Sequence, residues 1–433
     1  MKKYSFILLF LIGKLIVSAQ DYLTPEEAVA IALENNFNIQ IAQNNLEIDE
    51  INVSRANAGM LPSVTGAFNL NNTISNSTQE RTDGTVQELT NAHNNNMNYG
   101  VNLQWTVFDG FSMFARYDQL KEFQKQGEAE LQTQVVSLTT EVLVTYYNLI
   151  QQQAILEAYH TAIDLSRLRL ETAQNRFEIG KAAKLEVLNA QVDLNTDQTN
   201  LLRQQELIEN TKTYLNLLLA RELTTPINVG DDLAIDEGLV LEELMSLAEH
   251  QNPQIQSALI EQQIAEHELR RIKGERFPQV SLNTGYNFTH SESSLGFARQ
   301  NDGRGFNYGV SVSINIFNGF LQKRNEGIAK IRIENSQLGI EQQKQRIESQ
   351  LLSNFQTYLT QLELVGLEEN NEAIAKENLD ITLEKFRIGT ITTLEVRTAQ
   401  LNYINAMTRV SEARFQAKVS EIRLRELAGN VLD

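Results

Sequence analysis

Histidine is the residue type in this chain that most often serves as a metal ligand or as an acid–base catalyst near neutral pH. The histidines do not have the spacing of metal ligands, and no glycine-rich phosphate loop is present. The chain contains no cysteine, which excludes a disulfide and a thiol for lipid attachment. Because catalysis needs a nucleophile, a metal cluster or a tuned acid–base pair in a pocket, we expect no enzyme activity, no metal and no cofactor. The histidines are His93, His160, His250, His267 and His290.

Two glutamates, Glu186 and Glu395, occupy equivalent places shortly after a glycine that ends a long predicted helix. The glycines, Gly180 and Gly389, are expected to adopt the left-handed conformation that terminates helices, and a new helix starts within about five residues. A carboxylate in the first turn of that helix interacts favourably with the helix dipole. The same glutamates could instead narrow an opening, and the local sequence does not distinguish the two roles.

The residues before each glycine predict a very long helix. There is no proline from Phe111 to Phe177, and apolar residues recur every seven positions, as in a supercoiled helix. At about 1.5 Å per residue such a helix is on the order of 100 Å long, about three times the bilayer core. Heptads alone would also suit a dimeric filament or a soluble bundle. Thr392 or Thr393 is a plausible N-cap for the next helix. The heptad residues are Val135, Val142, Leu149, Leu156, Ile163, Leu170 and Phe177, then Leu351, Tyr358, Val365, Leu379 and Phe386.

Four segments alternate between apolar and polar residues and predict strands about ten residues long. The clearest are 99–107 and 308–316, with noisier partners at 64–70 and 280–288. Alternation also fits a half-buried sheet of a soluble domain. The strand length and the long polar connections, expected at 71–98 and 289–305, instead fit membrane-spanning strands. Four strands are too few to close a barrel, so several chains must contribute. The residues expected to face the membrane are Trp105, Val101, Leu103, Val310, Val312 and Ile314.

The second half of the chain repeats the first at an offset of 209 residues. Residues 99–101 match 308–310, and 176–180 match 385–389 in the same register. Each half predicts a helix, two strands, a very long helix and a further helix. The first helix is expected at about 24–58 and its counterpart at about 241–273. We therefore expect a tandem repeat with a first copy at 20–230 and a second at 231–433.

The N-terminus and the charge indicate where the protein acts. Residues 1–19 combine two lysines, an apolar stretch and a small-residue cleavage pattern, which fits a secretory signal peptide. A retained membrane anchor is the alternative, but the stretch is interrupted by Lys14 and is shorter than the roughly 20 residues of a spanning helix. The formal net charge of −18, without a basic stripe, excludes nucleic acid as an expected partner.

The order of these elements resembles the TolC-like outer-membrane efflux protein family, or outer membrane factors. The resemblance covers nearly the whole mature chain and depends on two motifs, each present twice. The motifs are Phe108-Asp109-Gly110 and Phe317-Asn318-Gly319 at the strand-to-helix junctions, and Arg176-Phe177-x-x-Gly180 and Lys385-Phe386-x-x-Gly389 at the helix ends.

The resemblance implies a mainly α fold with transmembrane β-strands. In a homotrimer, four strands per chain would form a twelve-stranded β-barrel, which continues into a coiled-coil α-helical barrel. The chain would then be a channel in the Gram-negative outer membrane that extends into the periplasm. It would serve as the passive exit duct of a tripartite efflux or type I secretion system. Its partners would be a periplasmic adaptor protein, an inner-membrane transporter of the RND, ABC or MFS type, and outer-membrane lipid.

The resemblance also implies functional residues at the periplasmic mouth. In relatives an acidic ring narrows this aperture, and its position looks like Glu395, with Glu186 in the equivalent place of the first copy. Phe386 falls where some relatives carry a latching aromatic hydroxyl, and Ile391 where they carry a latching arginine, so closure here would depend on coiled-coil packing. The helix tips expected to dock the adaptor comprise Arg176, Phe177, Gly180, Lys385 and Gly389.

The competing interpretation is a secreted coiled-coil protein that tethers envelope layers and conducts nothing. A barrel protein needs detergent for extraction and resists heating in mild detergent, whereas a soluble coiled coil needs none.

Overall fold

The computed structural model describes residues 22–294 and 298–431, which contain eight helices and four strands. The predicted signal peptide, 1–19, lies outside the described residues. The order of elements is the predicted one in both halves, except that two helices precede the strands where one was predicted. In the first half the elements are α1 (Pro25–Asn35), α2 (Phe37–Asn52), β1 (Ser63–Glu80), β2 (Val86–Phe108), α3 (Ser112–Glu178) and α4 (Lys184–Leu218). In the second half they are α5 (Leu241–Gln251), α6 (Pro253–Gly274), β3 (Gln279–Ser293), β4 (Gln300–Ser313), α7 (Leu321–Arg387) and α8 (Thr393–Ala428).

The described chain forms two compact units. One comprises residues up to Gln40 together with 134–248 and 348–431. It contains α1, α4, α5 and α8 with the C-terminal parts of α3 and α7. The other comprises 41–133 and 249–347, and it contains the sheet, α6 and the N-terminal parts of α3 and α7.

The long helices follow the predicted heptad pattern. Helices α3 and α7 are each 67 residues long. In α3 the heptad residues Val142, Leu149 and Ile163 are buried. In α7 the buried heptad residues are Leu351, Tyr358, Leu379 and Phe386. One side of the C-terminal part of each helix therefore packs into the core of the first unit. Among the described residues, none of the helices contains a stretch that is both long and apolar enough to cross a bilayer.

The prediction of a single first helix in each half is wrong, because the structure has two helices there. The 24–58 helix breaks at Asn36, whose backbone is extended and whose side-chain amide donates to the carbonyl of Leu218. The 241–273 helix breaks at Asn252, which caps α6 by accepting from the backbone N–H groups of Gln254 and Ile255. In both halves the asparagine Oδ1 accepts from backbone N–H groups of the helix that follows, which a continuous helix would have paired internally. Asn36 accepts in this way from Asn38, as Asn252 does from Gln254 and Ile255.

The four strands form one antiparallel sheet in the order β1-β2-β3-β4, so β1 and β4 are its edges. The strands are longer than predicted: β1 and β2 have 18 and 23 residues, and the connection expected at 71–98 is mostly strand. Residues 289–293 and 300–305, also expected to belong to a connection, extend β3 and β4. Asparagine and serine are weak strand formers, but the ladder of backbone hydrogen bonds continues through them and outweighs that local preference.

Ile314 does not lie in a strand, which corrects one predicted membrane-facing residue. Strand β4 ends at Ser313, and Ser313 pairs with Gln279, the first residue of β3. Since β3 begins there, directly after Pro278, Ile314 has no opposite residue in the neighbouring strand.

Candidate functional site

The second helix tip, between α7 and α8, has a fully capped turn. Gly389 has a positive φ of 78°, and its N–H donates to the carbonyl of Phe386 at 3.0 Å. Thr392 is the N-cap of α8, and its hydroxyl accepts from the backbone N–H of Glu395. The hydroxyl also lies 3.1 Å from the Glu395 carboxylate. Of the two predicted caps Thr392 is therefore correct, and Glu395 lies in the first helical turn as expected.

The first helix tip, between α3 and α4, has the same backbone turn without the cap. Gly180 has a φ of 71°, and its N–H donates to the carbonyl of Phe177. The N-cap of α4 is Ala183, which has no side chain to accept a hydrogen bond. Glu186 is half-buried in the first turn, and its Oε2 atom is buried without a hydrogen-bond partner among the described residues.

Two of the predicted tip residues contact each other across the halves. The Arg176 guanidinium lies over the Phe386 ring, 5.6 Å from its centroid. Phe386 is only 4% exposed. Arg176 Nη1 is buried and has no hydrogen-bond partner among the described residues. Phe177 and Lys385 remain exposed. The aromatic residue predicted at the aperture thus packs beneath a cation from the other hairpin, an attraction worth about 0.5–2 kcal/mol.

A buried polar cluster, comprising Ser166, Asp197, Arg397 and Gln400, joins α8 to α3 and α4. Arg397 donates to both carboxylate oxygens of Asp197, at 2.7 and 3.0 Å. Ser166 donates to the same carboxylate, and Gln400 donates to Ser166 and to the carbonyl of Ala162. A bidentate arginine–carboxylate pair has a fixed geometry and is among the stronger charge-assisted hydrogen bonds. The cluster therefore fixes the position of α8 against the first hairpin.

A second ion pair lies beside the cluster. Arg169 is 3% exposed and pairs with Asp193, which also lies 3.7 Å from Arg397. Burial lowers the pKa of the Arg169 guanidinium, and the Asp193 carboxylate opposes this shift. A cleft of about 230 Å³ opens next to these charges, bounded in part by Thr393 at the start of α8.

The sequence interpretation missed this polar cluster. Asp197 and Gln204 are buried in α4, and with Ala190 they follow a seven-residue interval. A charged residue at a buried heptad position is a recognisable signal, because such positions are normally apolar. Arg397, however, lies 200 residues along the chain, and nothing in the sequence pattern identifies it as the partner.

The sheet presents two different faces. Val101, Leu103 and Trp105 of β2 share one face with Val310 and Val312 of β4, as their pairing through β3 shows. Val101, Val310 and Val312 are more than half exposed. Trp105 is half-buried, and its indole N–H donates to the Met60 carbonyl at 2.9 Å. The face predicted to contact lipid is therefore apolar and largely uncovered in the protomer.

Known proteins resemble this chain over most of its length. The model of the family "Outer membrane efflux protein" matches residues 28–221 and again 244–430. The outer membrane protein TolC of Escherichia coli K12 is 19% identical over 311 residues, which cover 69% of this chain and 63% of TolC. The alkaline protease secretion protein AprF of Pseudomonas aeruginosa is 21% identical over 413 residues, which cover 93% of this chain and 83% of AprF.

The fold of a solved outer membrane protein agrees with this similarity. VceC of Vibrio cholerae superposes with a TM-score of 0.76 at 15% identity, covering 94% of this chain and 97% of VceC. The mainly helical architecture with four strands is thus that of known outer-membrane channels. Because the family model accounts for most of the chain, and does so once in each half, this protein belongs to the outer membrane efflux protein family.

Proposed function

We propose that this chain is one protomer of a homotrimeric exit duct that conducts solutes passively and catalyses no reaction. As a family member it is an outer-membrane protein that extends into the periplasm. The proposal specifies that its four strands form one third of a twelve-stranded barrel, and that the two halves are copies of one repeat. Signal peptide 1–19 would direct its export.

The sheet carries this proposal. One face is apolar and largely uncovered, and the edge strands β1 and β4 each pair on one side only within the described chain. All 14 residues of β4 are exposed. In water, an open strand edge beside an apolar face promotes aggregation. In lipid, every backbone N–H and C=O group must be hydrogen-bonded within the protein. Pairing of β1 with β4 of the next copy removes both open edges, and three copies give a closed ring.

Uncovered apolar residues on the helices support assembly of copies. Three exposed apolar residues of α7 recur every seven residues, and Ile388, directly after the helix, continues the series. The four residues are 49–74% exposed: Leu367, Ile374, Ile381 and Ile388. Helix α4 carries a comparable exposed series, including Leu185 and Val192. Heptad stripes of this kind pack against partner helices. We assign them to neighbouring copies, which would make the helices a coiled-coil barrel.

We further propose that the helix tips form the periplasmic aperture and the adaptor-docking surface. Glu186, Glu395 and Phe386 would belong to the aperture. The docking surface would include Arg176, Phe177, Gly180, Lys385 and Gly389. Arg176 Nη1 and Glu186 Oε2 are buried polar atoms without partners among the described residues, and such atoms are stabilised when another chain satisfies them. The partners would be a periplasmic adaptor and an inner-membrane transporter.

Reconstitution tests the duct. The purified mature protein should require detergent, form a trimer by native mass spectrometry and give discrete conductance steps in a planar bilayer. A monomer that is soluble without detergent and lacks β-structure by circular dichroism would contradict the proposal.

The aperture assignment is tested by Glu395→Lys, with Glu395→Gln as the uncharged control and Glu186→Lys as the comparison at the other tip. If Glu395 lies at the narrowest part, reversing its charge should change the cation-to-anion permeability ratio by at least about twofold, since charges a few ångströms from a permeating ion act strongly on it. The permeability ratio of Glu395→Gln should lie between that of the unchanged protein and that of Glu395→Lys. Unchanged conductance and reversal potential in Glu395→Lys would exclude this role.

A further inference from the structure

The polar face of the sheet contains no ionisable side chain over its regular part. This face comprises alternate residues of the segments 63–73, 94–106, 281–293 and 301–313, as the pairing registers define. The residues there are asparagine, glutamine, serine, threonine, glycine and one alanine. The opposite face of the same strands does carry charge near its outer end, at Glu292, Asp302 and Arg304. In a chain with 92 charged residues among Lys, Arg, Asp and Glu (37 and 55), a wholly neutral face is a distinct feature.

Three asparagines on this face form a hydrogen-bonded row across the sheet. Asn287 of β3 donates from its amide nitrogen to Oδ1 of Asn102 on β2, at 3.1 Å, and to Oδ1 of Asn307 on β4, at 3.0 Å. Both amide protons of Asn287 are therefore used inside the row. Asn102 and Asn307 keep their own amide groups available to solutes or water.

Two glycines on the neighbouring strands leave room for the side chains of the asparagine row. Gly100 pairs with Asn287, and Gly285 pairs with Asn102. A Cβ atom at either glycine would clash with the side-chain oxygen of the opposing asparagine. The amides can therefore lie flat against the sheet, and the backbone geometry fixes their position.

We propose that this asparagine row and the neutral face around it line the strand-built section of the duct. This section then admits polar solutes without selecting the sign of their charge. Selection by charge would then arise outside this section, and the ionisable residues at the helix tips are candidates for it. The inference depends on the proposed function, because the neutral face lines a lumen only if the apolar face contacts lipid.

The row would interact with solutes through amide hydrogen bonds. An amide offers both a donor and an acceptor, so it can replace water around uncharged polar groups as well as around ions of either sign. The expected substrates for this section are therefore polar or amphiphilic solutes of mixed charge.

Cysteine chemistry tests the inference directly, because the chain has no native cysteine. Asn287→Cys is assembled as the full-length protein in lipid vesicles. It is treated separately with a cationic and an anionic methanethiosulfonate reagent, both water-soluble, and each rate is divided by that for a free small thiol. Val310→Cys, on the apolar face and 66% exposed in the protomer, is the matched control. If Asn287→Cys does not assemble, Asn307→Cys, which lies in the same row, replaces it as the test variant.

The proposal predicts rapid reaction of the Asn287→Cys variant, with normalised cationic and anionic rates within about threefold of each other, since no charge lies within a few ångströms to separate them. Adding Asn102→Asp should raise the cationic rate and lower the anionic rate, each about fivefold, because a unit charge at about 4 Å in water is worth about 1 kcal/mol to either reagent. The ratio of the two rates should therefore change about 25-fold. Val310→Cys should react at least tenfold more slowly.

The other outcomes separate the two levels of the argument. If Val310→Cys is protected but Asn287→Cys is also unreactive, or strongly prefers one reagent, the neutral lining is wrong while the membrane-inserted duct stands. If both variants react rapidly, the apolar face is not in lipid, and the proposed function fails together with this inference.

Discussion

The two helix hairpins, α3–α4 and α7–α8, have nearly equal lengths but bury different residues. Helices α3 and α7 have 67 residues each, and α4 and α8 have 35 and 36. Yet Asp197, buried in the first hairpin, corresponds 209 positions later to Ala406, and Ser166 corresponds to Ala375. Arg397 of the second hairpin corresponds to Leu188, which is 53% exposed.

This difference shows how two helix pairs of similar length can form two unlike surfaces. Where α8 meets α3 and α4 within the chain, a buried ion pair fixes their relative position. At the corresponding place on α4, Leu188 is exposed and free to pack against another copy. In the trimer proposed above, charge inside the protomer and exposed apolar residues on its surface would separate an internal contact from an assembly contact. Buried ion pairs often contribute more to such specificity than to stability.

The largest effect is expected for Arg397→Leu. This substitution gives position 397 the leucine found at the corresponding position 188, and so removes the difference between the two hairpins. The substitution leaves the Asp197 carboxylate buried without its cation, which should cost about 3–5 kcal/mol. Hydrogen exchange of α8 backbone amides in the detergent-solubilised protein measures the loss as reduced protection near Val396 and Gln400.

The matched control combines Arg397→Leu with Asp197→Ala, so that both positions carry the residues of the opposite half. With no charge left unpaired, most of the lost protection should return, since apolar replacement of a complete buried pair is often neutral. If the single and double variants exchange equally fast, the ion pair does not hold α8 in place.

The sequence predicted those elements whose signals are local. The long helices follow from a sustained heptad pattern, which Glu372 interrupts once in the second half. The two terminating glycines have positive φ, and Thr392 caps α8. The break at Asn252 was also readable, because an asparagine followed by proline is a helix start. It was missed because the apolar periodicity continues across it.

Other features could not be predicted because their partners lie far away along the chain. Asn36 interrupts the first helix by donating to Leu218, 182 residues later. The Arg397–Asp197 pair spans 200 residues. Strand ends are set by the neighbouring strand, so that β4 stops at Ser313 where β3 begins, although Ile314 continues the alternating pattern. Local patterns define elements, while long-range contacts define their ends and the buried charges.

A smaller effect is expected where the two tips are alike. Gly180 and Gly389 both have positive φ and open space around the Cβ position, so alanine at either site costs only backbone strain, about 1–2 kcal/mol. Protection of backbone amides from hydrogen exchange in the flanking turns should therefore fall by similar amounts in Gly180→Ala and Gly389→Ala. Gly366→Ala is the control: it lies inside α7 without close neighbours and should stabilise that helix by about 1 kcal/mol. A tolerated change at one tip alone would show that the turns differ.

The smallest effect concerns the caps, where the tips differ. Thr392→Ala removes the hydroxyl that accepts from the Glu395 N–H, and it should cost about 1 kcal/mol at the start of α8. Ala183→Thr supplies the missing cap to α4. It should slow hydrogen exchange of the Glu186 amide by a factor that corresponds to a similar free energy. Thr393→Ala is the control, because Thr393 is already inside the helix. If Ala183→Thr leaves exchange at Glu186 unchanged, the first tip is not limited by its cap, and the contrast between the tips must come from the Arg176–Phe386 contact instead.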